Sequence, residues 1–130
     1  MEFVESRLLG VQVDEKGREV LLSIIDASGA KCVLALHGVE RLLVNELRQQ
    51  NVIEEMRHWT LGGEGPGLRE AVFYLMAGVS ERECGSQLAT VACSVIDRVI
   101  QGDLEVMEIT AVFGAQVLAS FVSMTVRSEA

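Results

Sequence analysis

Proline occurs once in 130 residues, cysteine three times, and aromatic side chains make up only 5% of the chain. A single proline in a chain that is 49% apolar excludes a disordered or low-complexity protein. Cys32, Cys84 and Cys93 are an odd, sparse set with no CxxC spacing, which argues against a disulfide framework and for free thiols in a reducing interior. Basic residues are short as well: 11 Lys and Arg stand against 19 Asp and Glu, a formal charge of −8. Phosphate contacts need clustered cations, so a nucleic-acid binder is not expected. No stretch reaches the ~18 apolar residues of a membrane span. The most apolar one, 109–126, is broken by Gly114, Gln116, Ser120, Ser123 and Thr125. The opening MEFVESRLLG has neither the basic start nor the apolar run of a secretory signal. The expected location is cytoplasmic, with no membrane partner.

What the chain does have is material for a core. A single domain, 1–130, of this size buries roughly 65–70% of the surface its unfolded form exposes. Val11 and Val13 lead into DEKG (14–17), the run 20–26 is rich in strand formers, and DASG (26–29) is the next turn. Cys32, Leu34 and Leu36 alternate with Val33, Ala35 and His37, completing a three-strand antiparallel meander. Val39, Leu42, Leu43 and Leu47 then fall at helical spacing, which predicts a helix. Residues 52–61 read as a fourth strand, GGEGPG (62–67) as a mobile surface loop, and 68–78 as a short helix stopped by Gly78. Ser80 and Glu83 have capping-box spacing, and Leu88, Val91, Ala92, Val95 and Val99 carry an apolar stripe to Gly102. This predicts one long helix buried on most sides. The last 25 residues predict two strands about a bend at Gly114. The expected fold is α+β: an antiparallel sheet of five to six strands with helices packed on one face.

Catalytic and metal signatures are missing. His37, His58 and the cysteines lack ligand spacing, so neither a metal nor a cofactor is expected. Cys84 near a helix start lies between acids, and a packing role accounts for it. The Gly-rich loop lacks the Lys-Ser/Thr of a phosphate loop, and Glu64 within it would repel phosphate. Glu54 and Glu55 are consecutive, so in a strand they face opposite sides; Glu81 and Glu83 do not face each other on a helix. The acidic excess is left without a structural task. It is either a solvated coat or a surface that steers a basic partner.

The opening meander around DEKG and DASG, followed by GVERLLVNELRQQNVIEE, resembles a known layout, as does the long helix followed by LEVMEITAVFGAQVLASFVSMTV. The layout is that of immunity proteins of contact-dependent inhibition and related polymorphic toxin systems. The resemblance covers most of the chain and rests on no invariant motif. It implies a non-enzymatic cytoplasmic inhibitor that binds one cognate toxin domain, of the basic nuclease kind, with carboxylates standing in for phosphates. Charge, and position around the Gly-rich loop, select Glu46, Glu54, Glu55, Glu64 and Glu70 as partner-binding residues. Two other readings compete with this one. An oligomeric small-ligand or regulatory domain, such as a homodimer, would cover the apolar helix and terminal strands. A small enzyme would need a pocket that joins His37 or His58 to a carboxylate.

Overall fold

The computed structural model describes residues 3–129. Eight strands and two α-helices follow one another: β1 (Arg7–Val13), β2 (Glu19–Ile25), β3 (Lys31–His37), β4 (Arg41–Asn45), β5 (Asn51–Trp59), α1 (Leu68–Ala77), a 3-10 turn (Glu81–Glu83), α2 (Ser86–Gln101), β6 (Glu105–Ala111), β7 (Gln116–Phe121) and β8 (Ser123–Glu129). The strands form one antiparallel sheet in the order β4-β7-β6-β5-β1-β2-β3-β8. The class is α+β as expected, but the sheet has eight strands rather than five to six.

The meander forms where the turn chemistry places it. Asp14 Oδ1 accepts the N–H groups of Arg18 and Glu19, at 2.8 and 3.1 Å. Asp26 Oδ1 accepts those of Ser28 and Ala30 at 2.9 Å, and the Ser28 hydroxyl at 2.6 Å. These bonds hold both carboxyls below the usual range, chiefly through Glu19 N–H for Asp14 and the Ser28 hydroxyl for Asp26.

Expectations for three segments fail, each for a physical reason. The segment 39–47 holds no helix, and Arg41–Asn45 within it is a strand. Leu42 and Val44 pack toward one core while Leu43 packs toward another. A strand covered on both faces needs consecutive apolar residues, and over so few positions these imitate helical spacing. The helix expected from Ser80 to Gly102 is split, because Gly85 separates the 3-10 turn from α2. Ser80 makes no side-chain capping bond, so the capping box is not formed. Gly102 does end α2 in the left-handed conformation, its N–H reaching Arg98 and Val99 carbonyls. Only Ala92, Val95 and Val99 of α2 are buried; Leu88, Val91 and Ile100 remain exposed, so the helix is covered on one side rather than most. The terminal segment makes three strands, since the chain turns a second corner at Val122.

That corner shapes the molecule. β3 pairs with β8 from Lys31↔Glu129 to His37↔Ser123, and β4 pairs with β7 from Arg41↔Ser120 to Asn45↔Gln116. Val122 N–H to His37 O and Glu40 N–H to Ser120 O join the two ladders into one bent ladder. With β1 pairing both β2 and β5, the pairings run full circle, and the sheet curls around a first core. Leu22, Leu34, Ile53, Ile109, Val117 and Phe121 fill it. A second core lies outside the sheet: Trp59, Val106 and Leu118 meet Val72 and Phe73 of α1 and Ala92, Val95 and Val99 of α2. Each such side chain withdrawn from water contributes roughly 1.5–3 kcal/mol. α1 lies on β4, β6 and β7, and α2 lies against α1. Two bidentate ion pairs tie these layers. Arg98 of α2 grips Glu40 at 2.7 and 2.8 Å, and Arg69 of α1 grips Glu81 at 2.6 and 2.7 Å.

Candidate protein-binding face

Cross-strand register on β5, β6, β7 and β4 sorts the outward side chains into rows. The first is Trp59–Val106–Ser120–Arg41, the second Arg57–Glu108–Leu118–Leu43, and the third Glu55–Thr110–Gln116–Asn45. The first two supply apolar residues to the helices; the third is wholly polar. Gly67, Glu70, Ala71 and Tyr74 project from one side of α1 and its cap, as i, i+3, i+4 and i+7 spacing requires. With Arg57, Glu108 and Gln116 they enclose a cleft of about 160 Å3.

Glu108 is the buried charge of this cleft, its side chain 9% exposed. Arg57 Nη2 donates to its Oε1 at 2.7 Å and Gln116 Nε2 to its Oε2 at 3.1 Å. Arg57 also lies over the Trp59 ring, 5.7 Å from its centroid. Its Nε stands 3.1 Å from Glu55 Oε1, close enough for an ion pair. The alignment is not that of a hydrogen bond, and Nε is a buried donor without a hydrogen-bond partner. Gly67 is required beside this guanidinium. Its φ is +92°, and a Cβ there would collide with Arg57 Nη1.

Beyond the third row the β6–β7 hairpin ends in Val112, Phe113 and Gly114. Phe113 is 79% exposed and Val112 48%. Together with Arg48, Gln49, Gln50 and Val52 they line an open hollow of about 750 Å3. Asn51, fully buried, holds both walls of the hollow. Its Oδ1 accepts Arg48 N–H at 2.9 Å and Ala115 N–H at 3.2 Å, while its Nδ2 donates to Arg48 O at 2.6 Å and Leu8 O at 3.1 Å. The amide thereby uses all four of its bonding positions. Gly114 leaves room for it, because a Cβ there would come within 2.6 Å of Asn51 Oδ1.

The five glutamates selected from sequence separate into two groups. Glu55 stands in the polar row, Glu70 lines the cleft, and Glu46 directly follows Asn45 at the end of the row. Glu54 joins them through a β-bulge. Ile53 opposes Ala111 and Glu55 opposes Thr110, so Glu54 is the extra residue and both glutamates are exposed. Strict alternation, which would put them on opposite faces, does not apply there. Glu64 stands apart. It sits in a loop whose Gly62 N–H is bonded to Ile100 O, and it lines neither recess. Sequence reasoning gave no site role to Arg57, Glu108, Asn51 or Phe113. The one available signal was Phe beside Gly at the expected bend, an apolar residue at a turn apex.

Each histidine meets one carboxylate, His37 with Glu19 at 2.8 Å and His58 with Glu105 at 2.6 Å, and neither lines the cleft or the hollow. Cys84 and Cys93 carry free thiols. Among the described residues no three His, Cys, Asp or Glu side chains converge as a metal site, and no helix is long and apolar enough to cross a membrane. Comparison with family models, curated proteins and solved structures finds no match to this chain.

Proposed function

We propose that the protein is a non-enzymatic inhibitor, a cytoplasmic immunity protein that binds and neutralises a basic toxin domain. The observation that carries this reading is the grouping of Glu46, Glu54, Glu55 and Glu70 around one outward face that also exposes apolar side chains. An apolar centre with a polar rim is the usual anatomy of a protein interface. The net charge adds support: the chain carries −8, with twelve acids against six arginines over residues 38–122. Such a field speeds encounter with a cationic partner and selects against acidic ones. Where the toxin is a nuclease, these carboxylates occupy its phosphate-binding groups.

The test uses the basic C-terminal domain of a large reading frame adjacent to this gene. Co-expression restores growth, and the dissociation constant rises with salt. Replacing Glu46, Glu54, Glu55 and Glu70 together by Gln weakens binding by about 100-fold at low ionic strength and flattens its salt dependence. A complex indifferent to salt removes the electrostatic mechanism; growth arrest despite co-expression removes the inhibitor role. The second reading, an oligomeric small-ligand domain, draws on Leu88 and Val91, exposed beside a groove between α2 and β4. Sedimentation together with thermal stabilisation by a metabolite panel checks it.

A further inference from the structure

We propose that Phe113 is the anchor of the partner contact, and that the hollow beside it receives an apolar side chain flanked by cations on the partner. This rests on the acidic-face reading and deepens it by naming what the partner must present. Phe113 is far more exposed than the other described aromatics, at 79%. Leu61, at 70%, lies against Gly102 in the cap of α2, and a Cβ on that glycine would come within 2.9 Å of it. Phe113 instead projects from the tip of a hairpin.

The tip is held in place before any partner arrives. Ala111 N–H bonds Ala115 O at 3.0 Å, Val112 N–H bonds Val52 O at 2.9 Å, and Asn51 fixes Ala115 from below. A ring presented on a braced turn loses little freedom on binding, which is the property of an anchor residue. The chemistry of the hollow selects its occupant. Val52, Val112 and Phe113 supply the apolar part of its lining, and Arg48, whose stem lies against Gly114, adds a positive charge. A bare cation is repelled there, while an apolar side chain is accepted. Exposed Glu46 and Glu54 flank the segments that form the hollow and outnumber Arg7, which pairs with Val52, so cations belong at the glutamate side of its rim. The fitting surface is a basic one with an apolar knob, not a uniform polycation.

Two peptides of equal charge test this with isotope-labelled protein at physiological salt: ten lysines, and ten lysines interrupted by a central Leu-Phe pair. Wild type is expected to bind the second about tenfold tighter, with amide shifts at Val112, Phe113 and Gln49. Phe113→Ala is expected to abolish that preference at an unchanged melting temperature. A preference that survives Phe113→Ala, or none in wild type, overturns the anchor. The Gln variant at Glu46, Glu54, Glu55 and Glu70 separates the two ideas. If decalysine binding is unaffected by it while the Phe113 effect persists, the acidic face fails and the anchor stands.

Discussion

The two outward halves of the sheet are built from the same alternation and end differently. On β1, β2, β3 and β8 the outward rows read Gln12–Leu21–Ala35–Thr125 and Gly10–Ser23–Val33–Arg127. Apolar and polar residues mix there, and no helix lies on them. On β5, β6, β7 and β4 the rows pass from apolar, under the helices, to polar, and then to an exposed aromatic tip. Acid content does not separate them: residues 1–37 and 123–130 hold seven acids and five bases in 45 residues, 38–122 hold twelve and six in 85, and only the bases are sparser in the second span. What sets the β5–β6–β7–β4 half apart is the exposed Phe113 tip beyond its polar row.

Asn51 is where the halves meet, and removing it breaks the comparison most directly. Its Nδ2 reaches Leu8 of β1, and its Oδ1 holds the β6–β7 hairpin. Asn51→Ala leaves buried groups at Leu8 and Ala115, and partly buried ones at Arg48, without that partner. The expected loss is about 3 kcal/mol, read from urea denaturation. Hydrogen exchange is expected to speed up at Arg48 and Ala115 first. Exchange that rises uniformly instead would show that Asn51 is no local brace.

A smaller change sharpens the contrast within one half. Arg57→Met keeps the stem over Trp59 but strips Glu108 of its cation, leaving it the hydrogen bond from Gln116. Breaking a buried pair from one side is expensive, and the partial exposure of Arg57 moderates it, so about 2 kcal/mol is expected. The double variant Arg57→Met, Glu108→Leu should recover most of that loss, as no charge then stays buried. Failure to recover would mean the guanidinium acts mainly through Trp59.

Those two nodes also mark where the sequence stops being legible. The meander, α1 and the Gly102 cap were all readable because each depends on local chemistry: Asp-Gly turns, helix formers, a glycine in the left-handed region. The strand 41–45 was not, because its consecutive apolar residues answer to two cores formed by distant segments. Glu54 and Glu55 were assigned to opposite faces because a bulge is a property of the pair of strands, not of either one. The candidate face was half visible. Glu46, Glu55 and Glu70 are apparent from charge, but their convergence depends on the β5–β6–β7–β4 register. Asn51, one amide among many polar residues, gains its role only from four bonds made to three separate segments.

The mildest expected effect concerns how the helices stay on their half. Arg98 lies beside Glu40 and holds its carboxyl below the ordinary range, chiefly through the side-chain hydrogen bond. The Glu81 carboxyl is lowered in the same way by Arg69. A carboxyl whose folded pKa lies below its unfolded one contributes stability that is complete above the unfolded value, about 4.5, and is lost as pH falls through the folded value. Solvent reaches the Glu40–Arg98 pair, so its contribution is modest. Arg98→Met should therefore lower the melting temperature by about 2 °C at pH 6, with the gap to wild type closing as pH falls toward 3. High salt at pH 6 should narrow the gap as well, because screening weakens an exposed pair. A gap that stays constant from pH 6 to 3 would mean that Arg98 steadies α2 through its stem alone, and the charge that links helix to sheet would then have no energetic role.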